Sequence, residues 1–220
     1  MRLKMIGLAA VAAMALMAFG ASSASATIVC SGEGTGAACA GTHGNIYGSA
    51  EKPAVIEASL KAGTSATLTA TNSSGGSVST VTCTTSVVKG TVNGANGAGS
   101  INSFTFSNCS SSVCSTVTAS TTASSSNLWP AQATTGTAPN GTLTVKNIDG
   151  EFICGTFLGD ITCRYTAAEA KTTVTGGKPA HVTATNIKLT KTVGPSATCG
   201  ESADWSGTYV VTKPTSLYLT

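Results

Sequence analysis

From residue 64 to the end of the chain, short segments rich in Val, Thr and Ile alternate with turn-forming runs of Gly, Asn and Ser. In residues 64–72, for example, apolar side chains alternate with threonines, which is the period of a half-buried strand. Residues 73–76 read Ser-Ser-Gly-Gly and predict a turn. Hardly any stretch shows a helical period. We therefore predict an all-β fold, an antiparallel β-sandwich of about ten short strands held by disulfides.

The composition excludes several classes of protein. Only 10% of the residues are charged and 5% are aromatic, whereas 27 Ser and 37 Thr together make up 64 of 220 residues. A coiled coil needs Leu, Glu and Lys in bulk, and a charge-driven disordered chain carries a high net charge, so neither class fits. The formal charge of +3 includes Arg2 and Lys4; without them, 10 basic residues balance 9 acidic ones and form no basic block. We expect no nucleic-acid partner.

The first 26 residues have the pattern of a cleaved signal peptide. Arg2 and Lys4 precede an apolar run over residues 5–19, and residues 24–26, Ala-Ser-Ala, fit the small-x-small rule of signal peptidase. No later apolar stretch approaches the roughly 20 residues that a membrane span needs. We therefore expect a secreted, extracellular protein without an integral membrane anchor in the mature chain; association with the cell wall stays open.

Eight cysteines follow the predicted cleavage site, and an even number on an exported chain predicts disulfides. They are Cys30, Cys39, Cys83, Cys109, Cys114, Cys154, Cys163 and Cys199. If the chain reverses at residues 158–159, Leu-Gly, then Cys154 and Cys163 lie directly opposite each other, so we predict a bridge between them. Cys30 and Cys39 enclose a Gly-rich loop and are expected to pair locally.

The other four cysteines allow three pairings. We prefer Cys83–Cys109 with Cys114–Cys199, because a bridge from Cys109 to Cys114 would close a gap of only four residues. The alternative pairings stay open at this point.

Residues 142–166 carry the clearest strand pattern. Apolar and polar residues alternate up to residues 147–150, Asn-Ile-Asp-Gly, which predict a turn, and a second turn is expected at residues 158–159. This stretch therefore predicts a three-stranded antiparallel meander. In residues 181–192 the alternation changes face near Asn186, which indicates a β-bulge.

The predicted organisation is a signal peptide over residues 1–26, a Gly-rich N-terminal segment over 27–62 and a single β-sandwich domain over 63–220. The tetrapeptide Thr-Ala-Thr-Asn occurs at residues 69–72 and again at 183–186. In a chain this rich in Thr and Ala, a repeated tetrapeptide of this kind is expected by chance, so we infer no duplication.

Several motifs of the chain carry a resemblance to known exported proteins. They are the Ala-rich signal, Val81-Thr82-Cys83, Phe104-x-Phe106-x-Asn108-Cys109, Asn127-Leu128-Trp129-Pro130, Cys163-Arg164-Tyr165 and the tail from Cys199-Gly200 through Ser206-Gly207-Thr208-Tyr209-Val210-Val211. With these motifs the chain resembles, over approximately residues 64–220, a loose group of uncharacterised proteins exported by actinobacteria. The resemblance implies a disulfide-bearing β fold with no assigned activity, and it transfers no catalytic residue.

Nucleophilic and metal chemistry have few candidates. No Gly-x-Ser-x-Gly elbow and no Cys-x-x-Cys motif occurs, and the Cys109-x4-Cys114 spacing has no second knuckle to complete a zinc site. His43 and His181 have no evident acidic partner; we expect His43 in an exposed loop and His181 at the start of a strand. We therefore predict no metal and no cofactor.

A carboxylate-based hydrolase is a remote alternative. Two carboxylates about 5–9 Å apart can hydrolyse a glycosidic bond. The candidates near the predicted turns are Asp149, Glu151 and Asp160, and two more carboxylates close in sequence to Trp205 are Glu201 and Asp204. An Asp-Gly pair is also what an ordinary hairpin turn requires, so we predict no catalytic residue.

Trp129 and Trp205 are candidate ligand-stacking residues, because exposed indoles stack on sugar rings, although so few aromatic residues also serve to fill a core. Our main hypothesis is a non-enzymatic secreted or cell-envelope protein that acts in adhesion, surface structure or protein contact, with an unknown protein or glycan at the cell surface as its partner. In that case residues 217–219, an edge strand, add to a neighbour's sheet. The alternative is a carbohydrate- or small-ligand-binding module.

Overall fold

The computed structural model describes residues 27–32, 39, 46–49, 54–94 and 96–220; the predicted signal peptide lies outside them. The elements in this part of the chain are β1 (Val29–Cys30), β2 (Ala54–Leu60), β3 (Ala66–Thr71), β4 (Ser77–Val92), β5 (Ala98–Ser111), β6 (Thr116–Thr121), β7 (Trp129–Thr135), β8 (Gly141–Thr156), β9 (Gly159–Thr175), β10 (His181–Val193), α1 (Ser196–Cys199), β11 (Ser202–Lys213) and β12 (Tyr218–Leu219). All strand pairings are antiparallel, which confirms the predicted all-β class. Over the same ranges, no helix has the length and apolarity to cross a membrane.

The large sheet closes on itself, so the two layers of the predicted sandwich are joined at both edges. Strands that follow one another in the chain pair from β8 to β11, and β7 joins β8 to β5, which pairs with β4. β2 and β3 complete the ring, because both pair with β4 on one side and β11 on the other. The predicted boundary between residues 62 and 63 falls in the turn that separates these two strands.

Two strands lie between β5 and β8 in the sheet, β7 along one part of their length and β6 along the other. β7 pairs with both neighbours, whereas β6 pairs with β8 alone, from Thr116↔Gly155 to Thr121↔Gly150. Residues 103–111 of β5 lie alongside β6, but no strand pairing joins them in this part of the described chain. This interruption between residues 103–111 and β6 is termed the seam.

β8 and β9 form one long hairpin, so the predicted three-stranded meander is wrong. β8 continues through residues 147–150, where the sequence predicts a turn. Asn147 takes a left-handed backbone conformation there (φ 59°), which asparagine tolerates better than most residues. The Asn-Ile-Asp-Gly signal thus marks a local irregularity within a strand and not a reversal of the chain.

The reversal itself lies one residue earlier than predicted. Phe157 and Leu158 form the two-residue turn, and the Thr156 hydroxyl oxygen accepts a hydrogen bond from the Leu158 N–H (3.2 Å). Because the turn moves by one residue, the cross-strand pairing moves by two. Cys154 and Cys163 are therefore two positions out of register and do not face each other.

All eight cysteines form disulfides, as predicted, and two of the predicted pairings are correct. Cys30 is bonded to Cys39, and Cys83 on β4 is bonded to its cross-strand neighbour Cys109 on β5. Four disulfides are typical of proteins in an oxidising, extracellular environment.

The other two predicted pairings are wrong. Cys154 on β8 is bonded to Cys114, and Cys163 on β9 is bonded to Cys199. The register of the hairpin is the physical reason, because it separates Cys154 from Cys163 and leaves each of them next to a segment outside the hairpin. Both bridges therefore connect distant parts of the chain and not the two strands of one turn.

The predicted β-bulge in β10 is confirmed. The pairing with β11 shifts by one residue between Ala184 and Ile187. Asn186 has a left-handed conformation there (φ 48°), and its backbone N–H donates a hydrogen bond to Ser206 Oγ (2.9 Å). The bulge moves the inward face from Ala184 to Ile187 and Leu189, all of which are buried.

The short strands β1 and β12 pair with each other at one end of the closed sheet. Leu219 is 1% exposed, and its backbone N–H donates to the Pro139 carbonyl oxygen (3.1 Å) on the side away from β1. Leu217 is buried as well. The expectation that residues 217–219 add to a neighbour's sheet is therefore wrong, because these residues are already paired and form part of the core.

Candidate ligand cavity

The closed sheet surrounds an apolar cavity of about 230 Å³. Its lining is almost entirely apolar and comes from the inward-facing positions of most strands. β8 shows how the sequence produces it, because Val145, Ile148 and Phe152 face inward while Gly150 contributes no side chain. A glycine between large apolar residues leaves a space that the neighbouring side chains do not fill.

An aromatic cluster centred on Phe104 lines the cavity. The Phe104 ring makes edge-to-face contacts with Trp129, Trp205 and Tyr209, at centroid distances of 6.3, 5.5 and 5.8 Å. Trp129 is 2% exposed and Trp205 is half-buried. Both residues that the sequence singles out as candidate stacking groups therefore line the interior, where edge-to-face packing adds to the stabilisation from burial.

Two buried tyrosines contribute hydroxyl groups to the interior. Tyr209 Oη hydrogen-bonds Ser86 Oγ (3.2 Å), and Tyr165 Oη donates to the Cys199 carbonyl oxygen (2.5 Å). Burial raises the pKa of both tyrosine hydroxyls above the usual value. Both groups are therefore neutral at physiological pH and add no charge to the cavity.

One buried donor in the described part of the chain has no hydrogen-bond acceptor, the indole Nε1 of Trp205. Leaving a buried N–H unpaired costs about 1–3 kcal/mol. The edge-to-face contact with Phe104 gives the indole an aromatic neighbour but no oxygen acceptor.

A polar pocket of about 270 Å³ adjoins the cavity where β6 lies against β8. Ser120, Thr121, Gly150 and Glu151 line both the polar pocket and the cavity. The interior of the closed sheet and the polar pocket therefore meet at this part of the wall.

The three carboxylates near the predicted turns do not form one group. Arg164 binds both carboxylate oxygens of Asp149, with its Nε 2.7 Å from Oδ1 and its Nη2 in contact with Oδ2. This contact raises the pKa of the Arg164 guanidinium group. Asp160 pairs with Gly155, four residues along β8 from Glu151, so it lies roughly 13 Å away from that residue's backbone position.

The two carboxylates close to Trp205 in sequence are ion-paired. Lys188 Nζ lies 2.6 Å from Asp204 Oδ1, and Lys191 Nζ lies 3.3 Å from Glu201 Oε2. Each carboxylate thus contacts a lysine from β10.

His43 lies outside the described residues. His181 begins β10, and a position at the start of a strand is what the sequence predicts. It lies opposite Thr175 of β9 and Val210 of β11. Over the ranges that the structure covers, no three His, Cys, Asp or Glu side chains are close enough together to hold a metal ion.

Sequence reasoning missed the residues at the wall between cavity and polar pocket. Thr121 lies in a low-complexity Ser/Thr tract and carries no signal of its own. Gly150 does carry one, because a glycine inside a strand often marks a close approach or an unfilled space. The predicted turn over residues 147–150 includes Gly150 and hides that signal.

Comparison with known proteins gives no match: no family model, no curated protein and no solved structure is significantly similar to this chain. The resemblance to exported actinobacterial proteins stays a prediction. Function is therefore argued from the site, because a fold by itself does not define an activity.

Proposed function

We propose that this is a non-enzymatic exported protein that binds a small apolar molecule inside its closed sheet. The observation that carries the proposal is the apolar cavity of about 230 Å³. Protein interiors are close-packed and contain few voids larger than a water molecule. An empty cavity of this volume costs on the order of 5 kcal/mol, a large share of the stability of a typical domain, and a bound apolar ligand recovers part of that cost.

The size and lining of the cavity define the class of ligand. An apolar cavity of about 150 Å³ stays dry and accepts benzene, so 230 Å³ suits a compact molecule of roughly nine carbon atoms by the same scale. The almost entirely apolar lining favours an uncharged hydrocarbon-like compound, because burying a charge without a partner is costly. Export is supported by the predicted signal peptide and the four disulfides.

Adhesion or protein contact at the surface is the second candidate, and one observation favours it. Phe157 and Leu158 at the tip of the β8–β9 hairpin are 101% and 93% exposed. Stacking of Trp129 on a surface glycan is less well supported, because this side chain is 2% exposed.

Calorimetric titration with toluene tests the proposal. We expect saturable binding with one site per chain and a negative heat-capacity change, as burial of apolar surface requires. Ala170 is 4% exposed and lines the cavity, so Ala170→Leu should take up part of its volume and weaken toluene binding. Lys171→Leu is the matched control, because it adds the same side chain one residue further along β9, where the lysine is 71% exposed.

Ala58→Leu on β2 provides a second filling variant, in case Ala170→Leu impairs folding. No detectable heat with the wild-type protein at any of three temperatures would contradict the proposal, because the expected heat-capacity change makes the binding enthalpy zero at no more than one of them. So would binding that persists unchanged in both filled variants, because toluene would then lie outside the cavity.

A further inference from the structure

The wall of the closed sheet is weakly joined at the seam between β5 and β6. Beyond Ile101, β5 pairs with β4 alone, and β6 pairs with β8 alone. Backbone pairing therefore holds each side of the seam to its outer neighbour and leaves the two facing sides without a ladder between them. Separation at the seam breaks no strand pairing.

The disulfides reinforce this division. On one side, Cys83–Cys109 fixes β5 to β4; on the other, Cys114–Cys154 fixes the start of β6 to β8. No disulfide between described cysteines crosses the seam. The disulfides thus hold both margins in place. Residues 112–115 join the margins at one end, so the seam can widen only away from that connection, towards Phe104 and Thr121.

The cavity reaches the seam from inside. Phe104 and Phe106 on β5, and Ala119 and Thr121 on β6, all belong to its lining. A side-chain hydrogen bond crosses the seam at this point, from Thr121 Oγ1 to the Phe104 carbonyl oxygen (2.8 Å). Breaking that bond and separating the strands connects the cavity with the outside.

Gly150 leaves the passage unobstructed next to Thr121. The two residues are cross-strand partners, and both also line the polar pocket. A β-carbon at Gly150 would lie 3.4 Å from the Ser120 carbonyl oxygen and 3.7 Å from Thr121 Cγ2, which are ordinary contact distances. A side chain is therefore tolerated here, but it would occupy the space where cavity and polar pocket meet.

We propose that the apolar ligand enters and leaves through the seam. The hydrogen bond from Thr121 to Phe104 holds the seam closed, and the missing side chain at Gly150 leaves space for the ligand next to Thr121. This inference rests on the proposed function. If the ligand passes through the seam, the seam determines the rate of ligand exchange, whereas the lining of the cavity determines the affinity.

Exchange of 4-fluorotoluene, followed by 19F NMR, tests the access route. Thr121→Val keeps the shape of the side chain but removes the donor, so we expect exchange about tenfold faster, the factor that one hydrogen bond commonly controls. Gly150→Leu should slow both association and dissociation by at least about tenfold; because Gly150 also lines the cavity, the added side chain should weaken binding as well. Gly150→Ala should give an intermediate rate and serves if the leucine variant does not fold.

Thr118→Val is the matched control, because Thr118 is an exposed residue of the same strand, and its exchange rate should equal that of the wild type. Unchanged exchange in Thr121→Val and both Gly150 variants, with toluene still bound, would overturn the access route alone. Absence of binding in the wild type would overturn both the access route and the proposed function.

Discussion

Tyr209 Oη on β11 donates a hydrogen bond to Ser86 Oγ on β4 at 3.2 Å, and Ser86 donates in turn to the Thr105 carbonyl oxygen of β5 at 2.9 Å. A serine hydroxyl has one proton, so the second bond fixes the direction of the first. Ser86 is 1% exposed, which places this link inside the protein. Because the tyrosine is the donor, the link requires the protonated form of Tyr209.

Stability should therefore fall at alkaline pH. Burial raises the pKa of Tyr165 and Tyr209 in the folded protein, whereas tyrosines in the unfolded chain ionise near pH 10. The stabilisation is fully present below about pH 10 and is lost above it, by about 1.4 kcal/mol per pH unit for each tyrosine. Guanidinium unfolding between about pH 8 and pH 11 measures this slope.

Tyr209→Phe is the control for the pH dependence, because it removes one of the buried ionising groups and keeps the ring in the Phe104 cluster. The slope above about pH 10 should decrease by about 1.4 kcal/mol per pH unit. A free energy of unfolding that stays constant up to about pH 11 in the wild type would contradict the assignment of these hydroxyls to the interior.

Two leucines at opposite extremes of burial should respond very differently to truncation. Leu219 is 1% exposed at the covered end of the closed sheet, and Leu158 is 93% exposed at the hairpin tip. We expect Leu219→Ala to lower the free energy of unfolding by about 2–4 kcal/mol and Leu158→Ala to change it by less than about 0.5 kcal/mol. Urea denaturation of both variants compares them directly, and equal effects would refute the docking of β12 in the core.

The bulge in β10 predicts a dependence on side-chain type at one position. Asn186 has a positive φ, which glycine adopts freely and β-branched residues strongly disfavour. Asn186→Gly should change the free energy of unfolding by less than about 0.5 kcal/mol, and Asn186→Val should lower it by about 1–2 kcal/mol. Thr185→Val, at the exposed neighbouring residue, should have little effect, and a similar loss in all three variants would count against the bulge.

The disulfide pairing is open to direct chemical mapping. Cleavage before Asp149 and Asp160 and after Lys191 places Cys114, Cys154, Cys163 and Cys199 on separate peptides without breaking any bridge. Under non-reducing conditions, the peptide with Cys154 should then be linked to the one with Cys114, and the peptide with Cys163 to the one with Cys199. Recovery of a Cys154–Cys163 linkage would show that the hairpin has the register expected from sequence. Opening Cys163–Cys199 by alanine substitution should cost about 4 kcal/mol, given the 36 residues it spans.

Local patterns predicted the strand class and one irregularity correctly. Alternation of apolar and polar residues identifies a strand because successive side chains of a strand point to opposite faces, which is a local property. The change of face in this alternation also located the bulge at Asn186. Asn147 shows the limit of the same reasoning. An Asn-x-Asp-Gly sequence is compatible both with a turn and with a strand that contains one left-handed residue, so the local pattern does not distinguish the two. Tertiary pairing of β8 with β9 decides between them, and the local sequence around Asn147 does not contain that information.

The regular spacing of three asparagines is a further signal for positive φ in this sequence, and the abundance of Thr and Ala makes it hard to recognise. Asn108, Asn147 and Asn186 are separated by 39 residues each (147 − 108 and 186 − 147) and all three have positive φ. Each follows an apolar-Thr-apolar-x pattern, on β5, β8 and β10 respectively. The Thr-Ala-Thr-Asn echo is one instance of this wider pattern, which the abundance of Thr and Ala makes hard to distinguish from chance.

The cavity and the seam are not predictable from the sequence, because both depend on closure of the sheet. Trp129 and Trp205 were selected for their chemistry, but their position inside follows from how β7 and β11 join the ring. A change of one residue at the turn around Leu158 likewise alters which cysteines meet. Such features depend on register, which short-range patterns specify only to within an even number of residues.

The most direct test of the account is a crystal structure of the protein equilibrated with 4-bromotoluene, with anomalous scattering used to locate the bromine. The account predicts one bound molecule inside the closed sheet, in contact with Phe104 and Trp129. Bromine density confined to the outer surface, or an interior filled by side chains with no space between them, would contradict it.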